Sequence, residues 1–277
     1  MIHTSELVIE GRPKVHILRS LRELWRYRGT VFAFAERNIR VSYKQAALGI
    51  SWAVVQPLTT VVVFTLILGR VAGLSGKVSG YSGFLLGSQL PWGYMSAVTA
   101  GCSSAAITAS GLMRKVYFPR EVPGLATIFS AGINFAIVFA LNLTIGPFLG
   151  AHLTPWLLLV PVLAIPLAIL GAGVGLGLGA FNVYYRDFSY LLGFFTQLWF
   201  WLTPVIVPLS QVPEKWRTLY IAINPAVGLF DAFYHVLTLG QAPDWQLLAF
   251  SIGQTLVVST IGFGVFKRLE PLFADVA

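Results

Sequence analysis

Sixty-four consecutive residues, Val122 to Tyr185, contain no Lys, Arg, Asp or Glu. A chain that folds in water cannot leave such a stretch uncharged, because too few polar side chains remain to cover its surface. The same pattern recurs from Gln45 to Gly69 and from Val78 to Met113. Across the whole chain only 11% of residues are charged and 56% are hydrophobic, against about 25% charged in a soluble domain. Lipid is therefore the main solvent expected, and the fold class is an all-α polytopic membrane protein.

A membrane helix needs about 20 mostly apolar residues. The first span fits at residues 50–69 and the second at 85–109. The 64-residue run is too long for one crossing. Gly146-Pro147, Gly150, His152 and Pro155 break it, so the third span is 125–145 and the fourth 157–181. The fifth fits at 189–207 and the sixth at 246–266. Residues 218–240 are also apolar, but Asn224-Pro225 interrupts them and Asp231 and His235 follow. Proline breaks the helix there, which predicts two short re-entrant helices before the last span. With six spans, fifteen of the nineteen Lys/Arg fall on the side that holds both termini. That bias places both ends in the cytoplasm. The chain divides into a cytoplasmic and interfacial segment, 1–48, and a transmembrane domain, 49–277.

The remaining signals narrow the chemistry. One cysteine, Cys102, excludes an intramolecular disulfide, and the scattered histidines give no metal cluster. The net charge of +8 sits at the ends of apolar runs, as for a protein facing anionic lipid, and not in a nucleic-acid-binding domain. In the N-terminal segment Ile17, Leu21, Leu24 and Trp25 share a helical face. Further on, the membrane-surface cations Arg37, Arg40 and Lys44 recur at spacings of three and four. This pattern suits an amphipathic helix lying in the interface, with a small cytoplasmic helical cap as the alternative reading. No nucleotide loop is present: the nearest fragment, Gly76-Lys77, is followed by Val78 and has Val71 where the leading glycine belongs. The spans carry almost no ionisable groups, which argues against transport driven by ion gradients. Their milder polar residues, Gln56, Gln89, Asn134, Asn142, Gln197 and Gln254, read mostly as interhelical hydrogen-bonding groups. Gly171, Gly175 and Gly179 stand on one face of the fourth span, where they permit close backbone packing. A membrane-embedded glycosyltransferase would need a carboxylate pair or a metal site near the interface, and Asp187 and Asp231 are isolated.

The loop Leu112–Pro123 offers cations and two exposed aromatics, Tyr117 and Phe118, between apolar spans. Physical chemistry alone leaves two readings open: a protein-docking loop, or a positive anchor with its aromatics in the headgroup belt. Aromatics gather in the first, second and fifth spans (Trp52, Trp92, Tyr94, Phe194, Phe195, Trp199, Phe200, Trp201). Such faces stack on sugar rings and also anchor membrane interfaces.

Several segments resemble one family. The stretch from Arg40-Val41-Ser42-Tyr43-Lys44 through Gly49-Ile50-Ser51-Trp52 to Gln56-Pro57 is similar to its entry into the first span. Arg114-Lys115-Val116-Tyr117-Phe118-Pro119-Arg120-Glu121 is similar to its loop after the second. Asn182-Val183-Tyr184-Tyr185-Arg186-Asp187, Leu202-Thr203-Pro204-Val205-Ile206, Asn224-Pro225 and the tail Phe273-Ala274-Asp275 complete the set in the same order. The family is the ABC-2 type permeases that export O-antigen, capsular polysaccharide or teichoic acid. The resemblance implies a homodimer of this chain in the cytoplasmic (inner) membrane, joined to two copies of a separate ABC ATPase subunit. That subunit would hold ATP and Mg, with no cofactor or catalytic residue in this chain. Residues Arg114, Lys115, Val116, Tyr117, Phe118, Pro119, Arg120 and Glu121 would then couple to the ATPase. Trp52, Phe195 and Trp199 would line the path of a lipid-linked polysaccharide, most directly O-antigen. An ABC-2 exporter of teichoic acid, capsule, small lipids or drugs would show similar spans.

Overall fold

The computed structural model describes residues 25–44, 51–71, 73–78, 80–108, 118–183 and 188–270. Among these residues every regular element is helical. Helix α1 spans Arg28–Lys44 and α2 spans Trp52–Phe64, running on into a π-helical turn, Thr65–Val71. Helix α3 covers Tyr81–Thr108 and α4 covers Val122–Thr144. A 3₁₀ turn, Pro155–Leu159, leads into α5, Val160–Asn182, and α6 follows at Phe188–Trp201. Then come α7 (Glu214–Ile223), α8 (Ala226–Tyr234, extended by a π turn, His235–Leu239) and α9 (Trp245–Leu269).

Helix α5 is the centre, and its glycines explain why. Gly171, Gly175 and Gly179 lie against α3. A Cβ on Gly175 would stand 2.5 Å from the Thr99 carbonyl oxygen, and one on Gly179 would stand 2.7 Å from Ser103 Cα. The intervening Gly173 and Gly177 lie against α9 at Ser259 and Gly262. Alternate glycines thus bring the α5 backbone onto two neighbouring backbones at once, which dispersion and weak hydrogen bonding reward in lipid. Ser259 Oγ adds a bond to the Ile169 carbonyl at 2.9 Å. At its start α9 is capped by Asp244, whose carboxylate accepts from Gln246 N and Leu247 N at 3.0 and 3.1 Å. At its end Lys267 and Arg268 complement the helix dipole.

Four segments are long and apolar enough to cross a membrane: Trp52–Val71, Val122–Thr144, Pro155–Asn182 and Trp245–Leu269. The second span expected from sequence is occupied by α3. At 28 residues this helix is ample in length, since about 20 suffice, but Ser, Thr, Gln and Gly dilute its apolarity. The fifth is only partly helical. Helix α6 has 14 residues, and the backbone from Leu202 to Val207 is irregular. That segment is held by side chains. Ser88 Oγ donates to the Val205 carbonyl at 2.6 Å, and Tyr81 OH donates to the Ile206 carbonyl at 3.1 Å. Irregular backbone at membrane depth survives only with such partners.

Helices α7 and α8 meet at Asn224-Pro225 with a bend of 114°. Asn224 organises the corner. Its Oδ1 accepts from Trp199 Nε1 and from Ala226 N, each at 3.1 Å, and its Nδ2 donates to the Leu202 carbonyl and to Thr203 Oγ1. The break at 146–156 is a 3₁₀ turn, Gly146–Leu149, ended by Gly150 at φ +92°, a left-handed conformation that favours glycine.

Candidate functional site

A cleft of about 960 Å³ opens among α2, α3, α4 and α6. Helical periodicity builds its walls. From α2 come Ala53, Gln56, Pro57, Thr60 and Phe64, and from α6 come Ser189, Leu192, Gly193, Thr196, Gln197 and Phe200. These are spacings of three and four, one face of each helix. The floor is α3 from Gln89 to Ser104, and Asn134, Phe135 and Val138 close the α4 side. An aromatic corner forms where Phe200 meets Trp92 edge-on at 5.2 Å and Phe64 at 6.4 Å between ring centroids. Amides and hydroxyls face these rings. Gln89 Nε2 is buried beside them with no protein hydrogen-bond partner among the described residues. Apolar rings beside neutral donors and acceptors suit a polyhydroxylated ligand, whose C–H faces stack and whose hydroxyls hydrogen-bond.

Four of the six amides read from sequence as interhelical hydrogen-bonding groups, Gln56, Gln89, Asn134 and Gln197, line this cleft. The other two do join helices. Asn142 Nδ2 donates to the Val138 and Leu86 carbonyls, and Gln254 Nε2 donates to the Ile221 and Ala222 carbonyls at the end of α7. The sequence signal for the cleft was present in the polar residues at i and i+4 on an otherwise apolar α2, Gln56 and Thr60.

None of the three aromatics expected along the sugar path lines the large cleft. Trp52 is 52% exposed and lines a shallower depression of about 350 Å³ with Thr59 and Val63. Phe195 is exposed on the far face of α6, 5.5 Å from the Trp199 ring. Trp199 is only 8% exposed, packed in the core with its N–H on Asn224. Its structural duty to the Asn224 corner explains that burial.

Of the residues expected to couple to a partner, Arg114, Lys115, Val116 and Tyr117 lie outside the described residues. The described four do not form an exposed loop. Phe118 is 5% exposed, so the sequence expectation of an exposed aromatic there is corrected. Helix α1 covers it: Val31, Phe34 and Ala35 pack on Phe118, Val122 and Ala126, with the Phe34 and Phe118 rings 5.4 Å apart. Pro119 is buried as well. Arg120 donates to the Glu270 carbonyl. Glu121, 1% exposed, pairs through Oε1 with Lys267 Nζ at 2.9 Å, and Lys267 also reaches Glu270 Oε2 at 2.9 Å. Burial holds the Glu121 carboxyl above the usual carboxylate range, and Lys267 pulls the other way. The result is a buried ionic tie between the start of α4 and the end of α9.

Among the membrane-surface cations, Arg37 is exposed at the rim of a smaller cavity of about 320 Å³, which meets the large cleft at Ala97, Ser104 and Asn134. Arg40 is exposed and pairs with Glu36 at 2.6 Å. The Lys44 side chain lies outside the described residues, as do Ile17, Leu21 and Leu24, the Tyr184–Asp187 part of its motif and the Phe273–Asp275 tail. Trp25 is exposed, with the Arg28 guanidinium over its ring.

Fold and cleft together define a polytopic helical membrane protein with a polar crevice between its helices and a packed polar tie at one end. The profile of the family described as ABC-2 type transporter matches residues 30–238, and the chain belongs to that family. It is 27% identical over 260 residues to an O-antigen export system permease protein RfbA of Myxococcus xanthus, covering 94% of this chain and 99% of that one. It is 22% identical to an RfbA of Klebsiella pneumoniae (87% of this chain, 92% of the relative). It is also 24% identical to the polysialic acid transport protein KpsM of Escherichia coli (87% and 93%).

Proposed function

We propose that this chain is the permease subunit of an ATP-driven ABC exporter that moves lipid-linked polysaccharide, most directly O-antigen, across the cytoplasmic membrane. The observation that carries the reading is its end-to-end similarity to O-antigen export permeases. The cleft of neutral amides, hydroxyls and rings between α2 and α6 supports it chemically. In this reading six spans cross the membrane, with α3 and α6 completing the set and both termini in the cytoplasm. Two copies of the chain pair through α2 and α6, whose outer faces are apolar and open at Val62, Leu66, Ile67, Phe194 and Leu198. Two copies of a separate ATPase subunit supply the energy, since the sequence has no phosphate loop of its own.

The segment Arg114–Glu121 receives the push from that subunit. Its described half is anchored to α1, α4 and α9, so motion there reaches several spans at once. Sugar rings then pass over Phe64, Trp92 and Phe200. Stacking holds each ring modestly and tolerates many sugars, which suits stepwise movement. No covalent step is required. The test is deletion of the protein followed by complementation. Surface O-antigen is lost on deletion and returns with the wild-type chain, while Tyr117→Ala restores expression without restoring export. Full surface O-antigen after deletion overturns the reading. Full export with Tyr117→Ala overturns the coupling role.

A further inference from the structure

We propose that the glycan carried through this cleft is uncharged along its repeating unit, so that the chain discriminates against polyanionic polysaccharides. The inference rests on the reading of the cleft as the sugar path. Among the described residues, none that lines it is Asp, Glu, Lys, Arg or His. In a chain of net charge +8, no cation among the described residues is part of its lining, and several are engaged elsewhere. Arg120 and Lys267 are committed to the Glu121–Glu270 cluster, and Arg40 is paired with Glu36. Arg37 stands at the rim of the smaller cavity, which meets the cleft at Ala97, Ser104 and Asn134, and does not line the cleft itself. Lys215 lies over Trp216, and Arg217 donates to the Ser210 and Val212 carbonyls.

A carboxylate on every sugar would enter a low-dielectric crevice with neutral donors alone to meet it. Desolvating a charge without a counter-charge is far more costly than desolvating a hydroxyl, and amide donors recover only part of the difference. The penalty recurs with each repeat that passes. A neutral hexose has no such term. Its hydroxyls find Gln56, Gln89, Thr196 and Gln197, and its C–H face finds the Trp92–Phe200 corner. The cleft is built to bind weakly and often, and only an uncharged chain meets it weakly at every step. Polysialic acid, the cargo named for the Escherichia coli relative, is an acidic polymer and is the type of chain excluded here.

The experiment uses the full chain, purified in lipid nanodiscs, and two probes of equal length: maltoheptaose and a sialic acid heptamer. Binding is read as tryptophan fluorescence, with Trp92→Phe marking the part of the signal that arises in the cleft. The expected result is a Trp92-dependent change with maltoheptaose and at least tenfold weaker binding of the acidic heptamer. Thr196→Lys, which places a cation on the cleft face of α6, should narrow that gap by tenfold or more. Equal binding of both probes to the wild-type chain overturns the neutrality argument and leaves the glycan reading standing. An unchanged gap in Thr196→Lys also overturns it, because cleft charge would then not be the discriminator. No Trp92-dependent signal with either probe overturns the glycan reading of the cleft, and this inference falls with it.

Discussion

The Glu121–Lys267 tie permits a sharp test, because its two members are buried to different depths. Glu121 is 1% exposed, and its Oε2 has no hydrogen-bond partner. Lys267 is partly open and has a second acceptor in Glu270. Removing one partner of a buried pair costs about 3–5 kcal/mol, mostly because the survivor is stranded. Lys267→Met strands the deep member, and about 3 kcal/mol is expected, since protonation gives the carboxylate an escape. Glu121→Gln strands a lysine that keeps Glu270 and reaches water, so about 1 kcal/mol is expected. The double variant should return to within about 1 kcal/mol of wild type, because both charges are gone.

The pH dependence follows from the raised pKa of Glu121. A carboxyl whose pKa is raised by folding favours the folded state at low pH, and that contribution is lost as pH climbs through the folded value. Without Lys267 the pKa rises further, so the cost of Lys267→Met shrinks on acidification. Denaturation by SDS titration in mixed micelles, followed by tryptophan fluorescence on both sides of that pKa, reads all three variants. A Lys267→Met cost below about 1 kcal/mol at alkaline pH would refute the argument. So would a cost that does not change with pH, or a larger cost for Glu121→Gln.

Four further outcomes are expected. Gly175→Leu forces side-chain atoms into the Thr99 backbone and should destabilise the chain by at least about 1–3 kcal/mol, the usual cost of overpacking, as measured in the same titration. Gly253→Leu on α9, where a Cβ meets nothing within 4 Å, should be nearly neutral. Phe118→Ala opens a cavity beneath α1 and should cost about 3–5 kcal/mol, with proteolysis near Arg28–Lys44 accelerated in parallel. Trp199→Phe keeps the ring but removes the donor to Asn224. A loss of about 1 kcal/mol is expected with no effect on maltoheptaose binding, which separates a fold residue from a cleft residue.

The sequence was most informative where the backbone itself is constrained. Gly171, Gly175 and Gly179, the break at 146–156 and the Asn224-Pro225 corner could all be read locally, because glycine and proline change what a backbone can do wherever they stand. Spans were harder. Helix α3 carries the polar floor of the cleft and so loses apolarity, while α6 stops at Trp201 because Asn224 and Ser88 claim the carbonyls beyond it. The rotation of α6 was not legible at all. Phe194, Phe195, Trp199 and Phe200 are all aromatic, so no contrast of polarity marks which of them turns inward, outward or to the cleft. Phe118 failed for a different reason. Its exposure depends on α1 folding over it, a contact between segments that no local pattern encodes.

The packing also divides the cleft into a fixed side and a yielding one. Its floor belongs to α3, which is held to α5 by backbone contact at Gly171, Gly175 and Gly179, while α5 is held to α9 at Gly173 and Gly177. Backbone-on-backbone contact leaves no side chain to repack, so that triple layer has one arrangement. The walls are different. Among the described residues, helix α2 has no such glycine contacts with its neighbours. It contains Pro57 and passes into a π turn, a change of hydrogen-bond register common at working sites. The opposite wall, α6, is short and ends in irregular backbone tied by a few side-chain bonds. A change in the width of the cleft therefore falls on α2 and α6, while Gln89 and Trp92 keep their positions on α3. In the proposed sugar path, such a change moves Gln56 on one wall and Thr196 and Gln197 on the other relative to Gln89 and Trp92 on the floor.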